Sequence, residues 1–379
     1  MSEERILLGP GPSLLPPAVN AALSLPLIGH VDPDLMPILD EIVGLLRQVF
    51  QTRNELTIPL SGSGTAGMEA AILHMVRPGE SLVVCTAGFF ADRIAEIGHR
   101  VGAEVTRVEA PWGRPLDPAD LERALSKTGR RPACVAAVHV ETSTGVVNPV
   151  ADLARVAHAK ETPILVDAVA SLGGADVRVD AWDIDACYSG SQKCLSAPPG
   201  LAPVTVHQRT RGRHTPATFY LDLESLWKYW GAGHAYHHTV PVNLLYAMHA
   251  ALRIVAAEGM EARVERHWRN TRALWRGLET LGLGLLAADA HRSPTITTVV
   301  VPDGIDDAKV RARLLREYGI EISGGLGPLR GKIWRIGLMG HSSQPKSVLV
   351  LLAALEAILA SEGMKIPRGT AAAQAAAML

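Results

Sequence analysis

The sequence predicts an α/β protein: a large domain built on a mostly parallel sheet flanked by helices, followed by a smaller C-terminal α+β domain. Three observations lead there. Short β-rich runs alternate with helical patterns over the first two-thirds of the chain, those runs are apolar on both faces, and beyond about Val240 the pattern changes to long helices. Strands with two apolar faces belong inside a sheet covered on both sides, and alternation with helices makes the connections parallel crossovers. The length of 379 residues agrees, since about 100 to 200 residues per domain gives two domains.

Gly9-Pro-Gly-Pro12 and Pro16-Pro17 make residues 1–20 an extended, turn-rich arm, because proline fixes φ and keeps the preceding residue out of the helical region. From about Asp34, apolar residues at Ile38, Ile42, Leu45, Leu46 and Val49 recur at helical spacing and predict an amphipathic helix. Residues 81–86 read as a strand and 91–101 as a helix, 133–139 as a strand and 150–160 as a helix, with further strands at 163–168 and 185–189. Long helices at 242–258 and 260–281 come next, then a strand at 295–301, a helix at 307–318, a strand at 334–338 and a last helix at 345–360. Gly259 punctuates the helical pattern and places the domain boundary there, giving residues 21–258 and 259–379. The Ala-rich tail from Gly369 has no pattern that would hold it down.

Composition excludes several classes. Apolar residues at 47% and charged residues at 20% describe a globular protein. The 37 basic residues nearly cancel the 38 acidic ones, so no global field would gather a nucleic acid. The longest apolar runs fall short of the roughly 20 residues a bilayer requires, and residues 1–5 lack the basic start and apolar run of a secretory signal. The expectation is a cytoplasmic protein without a membrane span. Cys85, Cys134, Cys187 and Cys194 form no C-x-x-C pair, and three of them lie in apolar strand-like runs, so buried free thiols are expected in place of disulfides or a zinc site.

Three segments carry chemistry. Ser61-Gly-Ser-Gly-Thr-Ala-Gly67 precedes a helical pattern through Met68, Ala71, Ile72 and Met75. Glycines let backbone approach an anion, and a helix N-terminus offers free N–H groups, so this is a phosphate cradle. It also fits G-x-G-x-x-G, but a dinucleotide site needs an acidic residue at the end of the next strand, where Cys85-Thr86-Ala87 stands. Ile164-Leu-Val-Asp-Ala168 is a buried-type strand ending in a carboxylate, which is a ligand contact, a helix-capping group or a salt-bridge partner. Tyr188-Ser-Gly-Ser-Gln-Lys193 places a lysine after a strand and a small-residue turn, before Ala197-Pro-Pro-Gly200. A lysine held there is desolvated, which lowers the pKa of an amine that must attack a carbonyl. A phosphate cradle, a carboxylate and a lysine in this order match the needs of pyridoxal phosphate (PLP): an anion site, a partner for the pyridine nitrogen and an amine for the Schiff base.

With those residues in view, the chain resembles the alanine–glyoxylate/serine–pyruvate aminotransferases of the class V PLP enzymes. The resemblance runs nearly end to end, through Leu7-Leu-Gly-Pro-Gly-Pro12, Val49-Phe-Gln-Thr-Arg-Asn54, Ser61 to Gly64, Val166-Asp-Ala-Val-Ala-Ser-Leu-Gly-Gly174, Ser189-Gly-Ser-Gln-Lys193, Tyr236-His-His-Thr239 and Gly324-Gly-Leu-Gly-Pro328. It implies the PLP-dependent transferase fold of type I with a seven-stranded-type sheet. It further implies a Schiff base at Lys193, Asp167 on the pyridinium, and the phosphate held by Ser63, Gly64, Thr65 and Gln192. Phe90 would stack on the ring where relatives have Trp or Tyr, with Val169 on its other face, and Thr142 stands where relatives have Ser. Tyr236 and Thr239 would reach the neighbouring subunit's phosphate, making a homodimer with shared sites. Arg335 would bind the substrate α-carboxylate; an arginine flanked by apolar residues in a strand itself points to a buried anion.

The activity implied is transfer of an amino group from alanine or serine to glyoxylate, with no second arginine evident for a dicarboxylic donor. A ureidoglycine–glyoxylate aminotransferase differs only in a few pocket side chains, and His30 and Asn243 have no assigned role. A cysteine desulfurase needs a cysteine in an exposed glycine-rich loop. A nicotinamide-dependent oxidoreductase would rest on Gly62 to Gly67 alone, and a non-catalytic regulator would leave Lys193 and Arg335 unexplained.

Overall fold

The computed structural model describes residues 5–231 and 233–379. Its larger hydrophobic core surrounds a seven-stranded sheet with strands, in chain order, β1 (Leu56–Ser61), β2 (Ser81–Thr86), β3 (Glu104–Glu109), β4 (Cys134–Val138), β5 (Ile164–Asp167), β6 (Ala186–Tyr188) and β7 (Leu201–Val206). The spatial order is β1-β7-β6-β5-β4-β2-β3. Only β7 is antiparallel to its neighbours. Strands β2, β4 and β5 are buried at every position, as their apolar two-faced sequences require. The thiols of Cys85, Cys134, Cys187 and Cys194 are free and buried.

Strands β1, β3 and β7 are absent from the sequence expectation, each for a physical reason. β3 reads Glu-Val-Thr-Arg-Val-Glu and is mostly exposed at the sheet edge, so it lacks the apolar run of its neighbours. β1 and β7 each contain a proline, which argues against a central strand. Pro59 and Pro203 sit directly opposite each other; β1 is the other edge of the sheet, where a missing donor is tolerated.

A second core gathers a three-stranded antiparallel sheet, with β8 (Ile296–Val300), β9 (Ser323–Gly324) and β10 (Ile333–Gly337) in the order β8-β10-β9, and the helices Asp307–Tyr318 and Pro345–Ser361. The transition between cores falls along the helix Met260–Thr280. Met260 packs on the first core, whereas Ala273, Leu274 and Leu278 are buried in the second.

Two terminal expectations need correction. The arm is not extended through residue 20: Pro17 starts the helix Pro17–Ala22, since proline fits the first helical turn, where its missing N–H costs nothing. The Ala-rich tail is held down after all. It forms the helix Ala371–Ala376, whose Ala371 and Ala375 are fully buried in the second core, because alanines four apart give a flat face that lies close on neighbouring helices. The arm itself crosses from one core to the other. Ile6–Leu7 adds a parallel pair to Ile320–Glu321, Leu8 enters the second core, and Gly9 lies so close to Gly337 that a Cβ on Gly337 would collide with the Gly9 carbonyl.

Candidate active site

Since β1, β2, β4, β5 and β6 run the same way, their C-terminal ends share one edge, which is where open α/β sheets bind ligands. Asp167 ends β5, the Lys193 turn follows β6 and the glycine-rich turn follows β1.

Asp167 is buried. Its Oδ1 accepts from the Val169 N–H and its Oδ2 from the Tyr188 hydroxyl, both at 2.8 Å. Burial pushes its pKa up to about 6 against the pull of those two bonds, and Glu141 pushes in the same direction. The adjacent turn brings Val169 to the cradle: a Cβ on Gly64 would lie 3.4 Å from Val169 Cγ2 and 3.7 Å from Gly190 Cα. Ser63 precedes the helix Gly64–Met75 in extended conformation. Ala66 and Gly67 N–H groups both donate to the Ser63 carbonyl, which leaves the Gly64 and Thr65 amides without acceptors among the described residues. Nearby, the Gln192 Oε1 is buried without a partner.

Lys193 lies half-buried beneath the arm, with its Nζ on the Pro10 carbonyl and a Cβ on Gly11 excluded by its side chain. Gly11 has φ +109°, so glycine is needed there on both counts. Desolvation lowers the Lys193 pKa to about 8; the charge of Arg335 acts in the same direction and that of Asp167 opposes it.

Arg335 projects from β10 and is 6% exposed. Its Nε donates to the Gly324 carbonyl (2.8 Å) and its Nη1 to the Thr142 carbonyl (3.4 Å). Among the described residues no carboxylate lies within ion-pairing distance of it, so the guanidinium has carbonyl partners and no counter-ion. Burial depresses its pKa to about 10, with Glu141 opposing. A buried cation without a counter-ion has the charge and donors to receive an anion.

Phe90 is half-buried near the start of the helix Phe89–Arg100, and the Arg93 guanidinium lies 5.0 Å from its ring centroid. Arg93 Nη1 also reaches the Thr65 hydroxyl at 3.3 Å. Tyr236 and Thr239 are exposed in this chain. The intervening His238 touches Ser61 Oγ at 2.9 Å, so the segment lies beside the cradle. His30 packs its ring 5.3 Å from Tyr236 and accepts the Tyr229 hydroxyl on its carbonyl. Asn243 is exposed in the first turn of the helix Val242–Glu258. Cys194 is fully buried and its thiol is pushed up to about 11, a packing residue.

Sequence reasoning passes over Tyr188 and Glu141. Glu141 is fully buried and accepts from the Ser143 N–H and hydroxyl and from the Phe90 and Ala91 N–H groups, so it caps the helix that carries Phe90. A carboxylate three residues after the apolar strand run Cys134-Val-Ala-Ala-Val138, in His139-Val-Glu-Thr-Ser-Thr-Gly145, is the signal that could have found it, since acidic residues are almost never buried without partners.

With this geometry established, comparison with known proteins gives consistent matches. The family model for class-V aminotransferases covers residues 28–330. The (S)-ureidoglycine–glyoxylate transaminase of Bacillus subtilis is 38% identical over 97% of this chain and 93% of its own length. The alanine–glyoxylate aminotransferase of Callithrix jacchus is 40% identical over 94% of this chain and 87% of its own. Among solved structures, the alanine–glyoxylate aminotransferase of Nostoc superposes with a TM-score of 0.92 at 45% identity, covering 95% of this chain and 96% of its own. From fold, site and likeness together, the chain is an aminotransferase and belongs to the class V family.

Proposed function

We propose that this aminotransferase uses PLP bound at Lys193 to move the amino group of a small amino acid, alanine or serine, to glyoxylate, yielding glycine and pyruvate or hydroxypyruvate. The observation that carries the reading is Arg335, a buried guanidinium without a counter-ion that shares a site with a desolvated lysine and a buried carboxylate.

The residues present fit the cofactor. The unpaired Gly64 and Thr65 amides suit a phosphate dianion, with the Ser63 and Thr65 hydroxyls and the Nε2 amide of Gln192 as further donors. Asp167, wired to Tyr188 and Val169, would hold a protonated pyridine nitrogen, Val169 and Phe90 would flank the ring, and Thr142 would lie beside it and the substrate. PLP supplies an electron sink for charge developing at the substrate Cα. The chain's own groups do the rest. Arg335 pairs with the α-carboxylate and so orients the Cα–H. Lys193, whose amine is substantially neutral near pH 8, would take that proton from Cα and deliver it to the cofactor carbon on the other side of the amino nitrogen. The arm at Pro10 and Gly11 covers the amine.

A small donor is favoured because the second guanidinium near Arg335 is occupied. Arg311 packs on Gly324 but is held by both oxygens of Asp307 at 2.7 and 2.9 Å, which leaves it no free fork for a distal carboxylate.

A homodimer is part of the proposal. Phe219 and Tyr236 are 70% and 65% exposed, and Leu25, Leu27, Val31 and Tyr220 are exposed as well, an apolar display better explained by a covering subunit than by solvent. Tyr220 donates to the Ser61 carbonyl, which puts part of this surface next to the cradle, where Tyr236 and Thr239 of a second copy would complete the phosphate site.

The test is a donor panel against glyoxylate, scored by kcat/KM. Alanine or serine should give the highest values, with aspartate and glutamate far below. A chain active on (S)-ureidoglycine and inert to both alanine and serine would overturn the donor assignment while leaving the family intact.

A further inference from the structure

The backbone around Lys193 is held from three directions. From the arm, Ser13 donates its N–H to the Gln192 carbonyl (2.9 Å) and its hydroxyl to the Lys193 carbonyl (2.8 Å). Ser196, three residues on, has φ +56°, a left-handed conformation that a non-glycine residue keeps only when its surroundings enforce it. Its hydroxyl sits 3.0 Å from Ser13 Oγ and accepts the His341 N–H (2.8 Å), which arrives from beyond β10.

The third hold is Arg263. It lies in the first turn of the helix Met260–Thr280, just after Gly259 at φ +80°, and is 3% exposed. Its Nε donates to the Gly173 carbonyl (2.8 Å), its Nη2 to the Cys194 carbonyl (2.5 Å) and its Nη1 to Glu258 (2.5 Å). Gly173 ends the turn that follows Asp167, and Cys194 follows Lys193 directly. One guanidinium therefore ties together the loops that carry both groups, and it does so from the helix whose far half is buried in the second core. Arg266 is a separate clamp: it meets both oxygens of Glu258 and donates to the Gly340 and Ser343 carbonyls. Glu258 would thus stay paired if Arg263 were lost.

We propose that Arg263 is a positioning residue for Lys193: its planar fork fixes the Cys194 peptide against the Asp167 loop, and through it the placement and desolvation of the Lys193 amine. The fork sets Nε, Nη1 and Nη2 at three separate points, one for each partner, whereas the donors of an ammonium share a single nitrogen. The inference rests on the reading of Lys193 as the reactive amine.

The experiment uses the full chain, with Arg263→Lys and Arg263→Ala beside wild type, and PLP as the probe. It follows the rate at which cofactor-stripped protein develops the PLP chromophore as a function of pH, together with kcat, KM and Tm. Lys keeps the charge and the Glu258 contact, so R263K should fold with a Tm close to wild type. Its capture midpoint should rise from about 8 by roughly half a pH unit or more as the amine becomes better solvated. Its kcat should fall roughly tenfold with little change in donor KM. An unmoved midpoint and unchanged kcat in R263K would overturn the inference, as would losses in both variants that track Tm alone. If wild type itself captured no PLP, the reading of Lys193 would fail first, an outcome distinct from wild type and R263K behaving alike.

Discussion

At the scale of single residues, environment sets the charge state of each group in the site. Lys193 is lowered to about 8 by burial, so the neutral amine that attacks an aldehyde is scarce at pH 6 and dominant above pH 9. PLP capture by the cofactor-free protein should therefore accelerate with pH through about 8 and then level off, as stopped-flow absorbance would show. Asp167 behaves in the opposite sense for stability. Its pKa is raised from 3.8 to about 6, so the fold favours its protonated form. That contribution is full below about pH 4 and is lost as pH rises through 6. At pH 7 the cofactor-free protein carries a buried carboxylate with no cation paired to it, at a cost on the order of 3 kcal/mol. Asp167→Asn should raise the Tm of the cofactor-free protein at pH 7 while abolishing turnover, and the gain should vanish near pH 4. Removing the Arg335 fork deletes two charge-assisted bonds worth about 1.5–3 kcal/mol each, so Arg335→Ala should cut kcat/KM by roughly a hundredfold or more, mainly through KM.

At the scale of elements, helices and strands are legible in the sequence where period and composition agree. The apolar spacing of Ile38, Ile42, Leu45 and Val49 belongs to the helix Met36–Phe50, whose buried face includes Ile42, Leu45 and Val49, and the run before Asp167 is β5. Legibility ends where an element contradicts its own local pattern. β1 and β7 carry prolines yet pair in the sheet, and β3 is a polar, mostly exposed edge without an apolar run. The candidate site divides the same way. Lys193, Asp167 and Arg335 stand out because each is a chemically specific feature at the end of a recognisable strand or inside one, and the glycine turn stands out by its own composition before a helical pattern. Tyr188, which donates to Asp167, and Glu141, which caps the Phe90 helix, act through contacts between distant segments that no spacing encodes. Glu141→Ala leaves four donors with no acceptor in a buried cluster, so a loss of about 2–4 kcal/mol by denaturant unfolding is expected. Glu141→Gln, which keeps one acceptor oxygen, should lose less.

At the scale of the whole molecule, the arm stitches the two cores. It pairs with Ile320–Glu321 at one end and rests on Lys193 at the other, so the amine is covered by a segment far from it in sequence. The exposed apolar residues Phe219 and Tyr236 predict that a charge at this surface, such as Phe219→Asp, shifts light-scattering mass from dimer to monomer and weakens PLP retention with it. The proposed chemistry turns on which amine holds the cofactor. The most direct measurement is to reduce the PLP-loaded protein with borohydride and locate the phosphopyridoxyl group by peptide mass spectrometry. A yellow protein that bleaches and carries the group on Lys193 is the predicted result. A colourless protein, or a group fixed on another lysine, would contradict it.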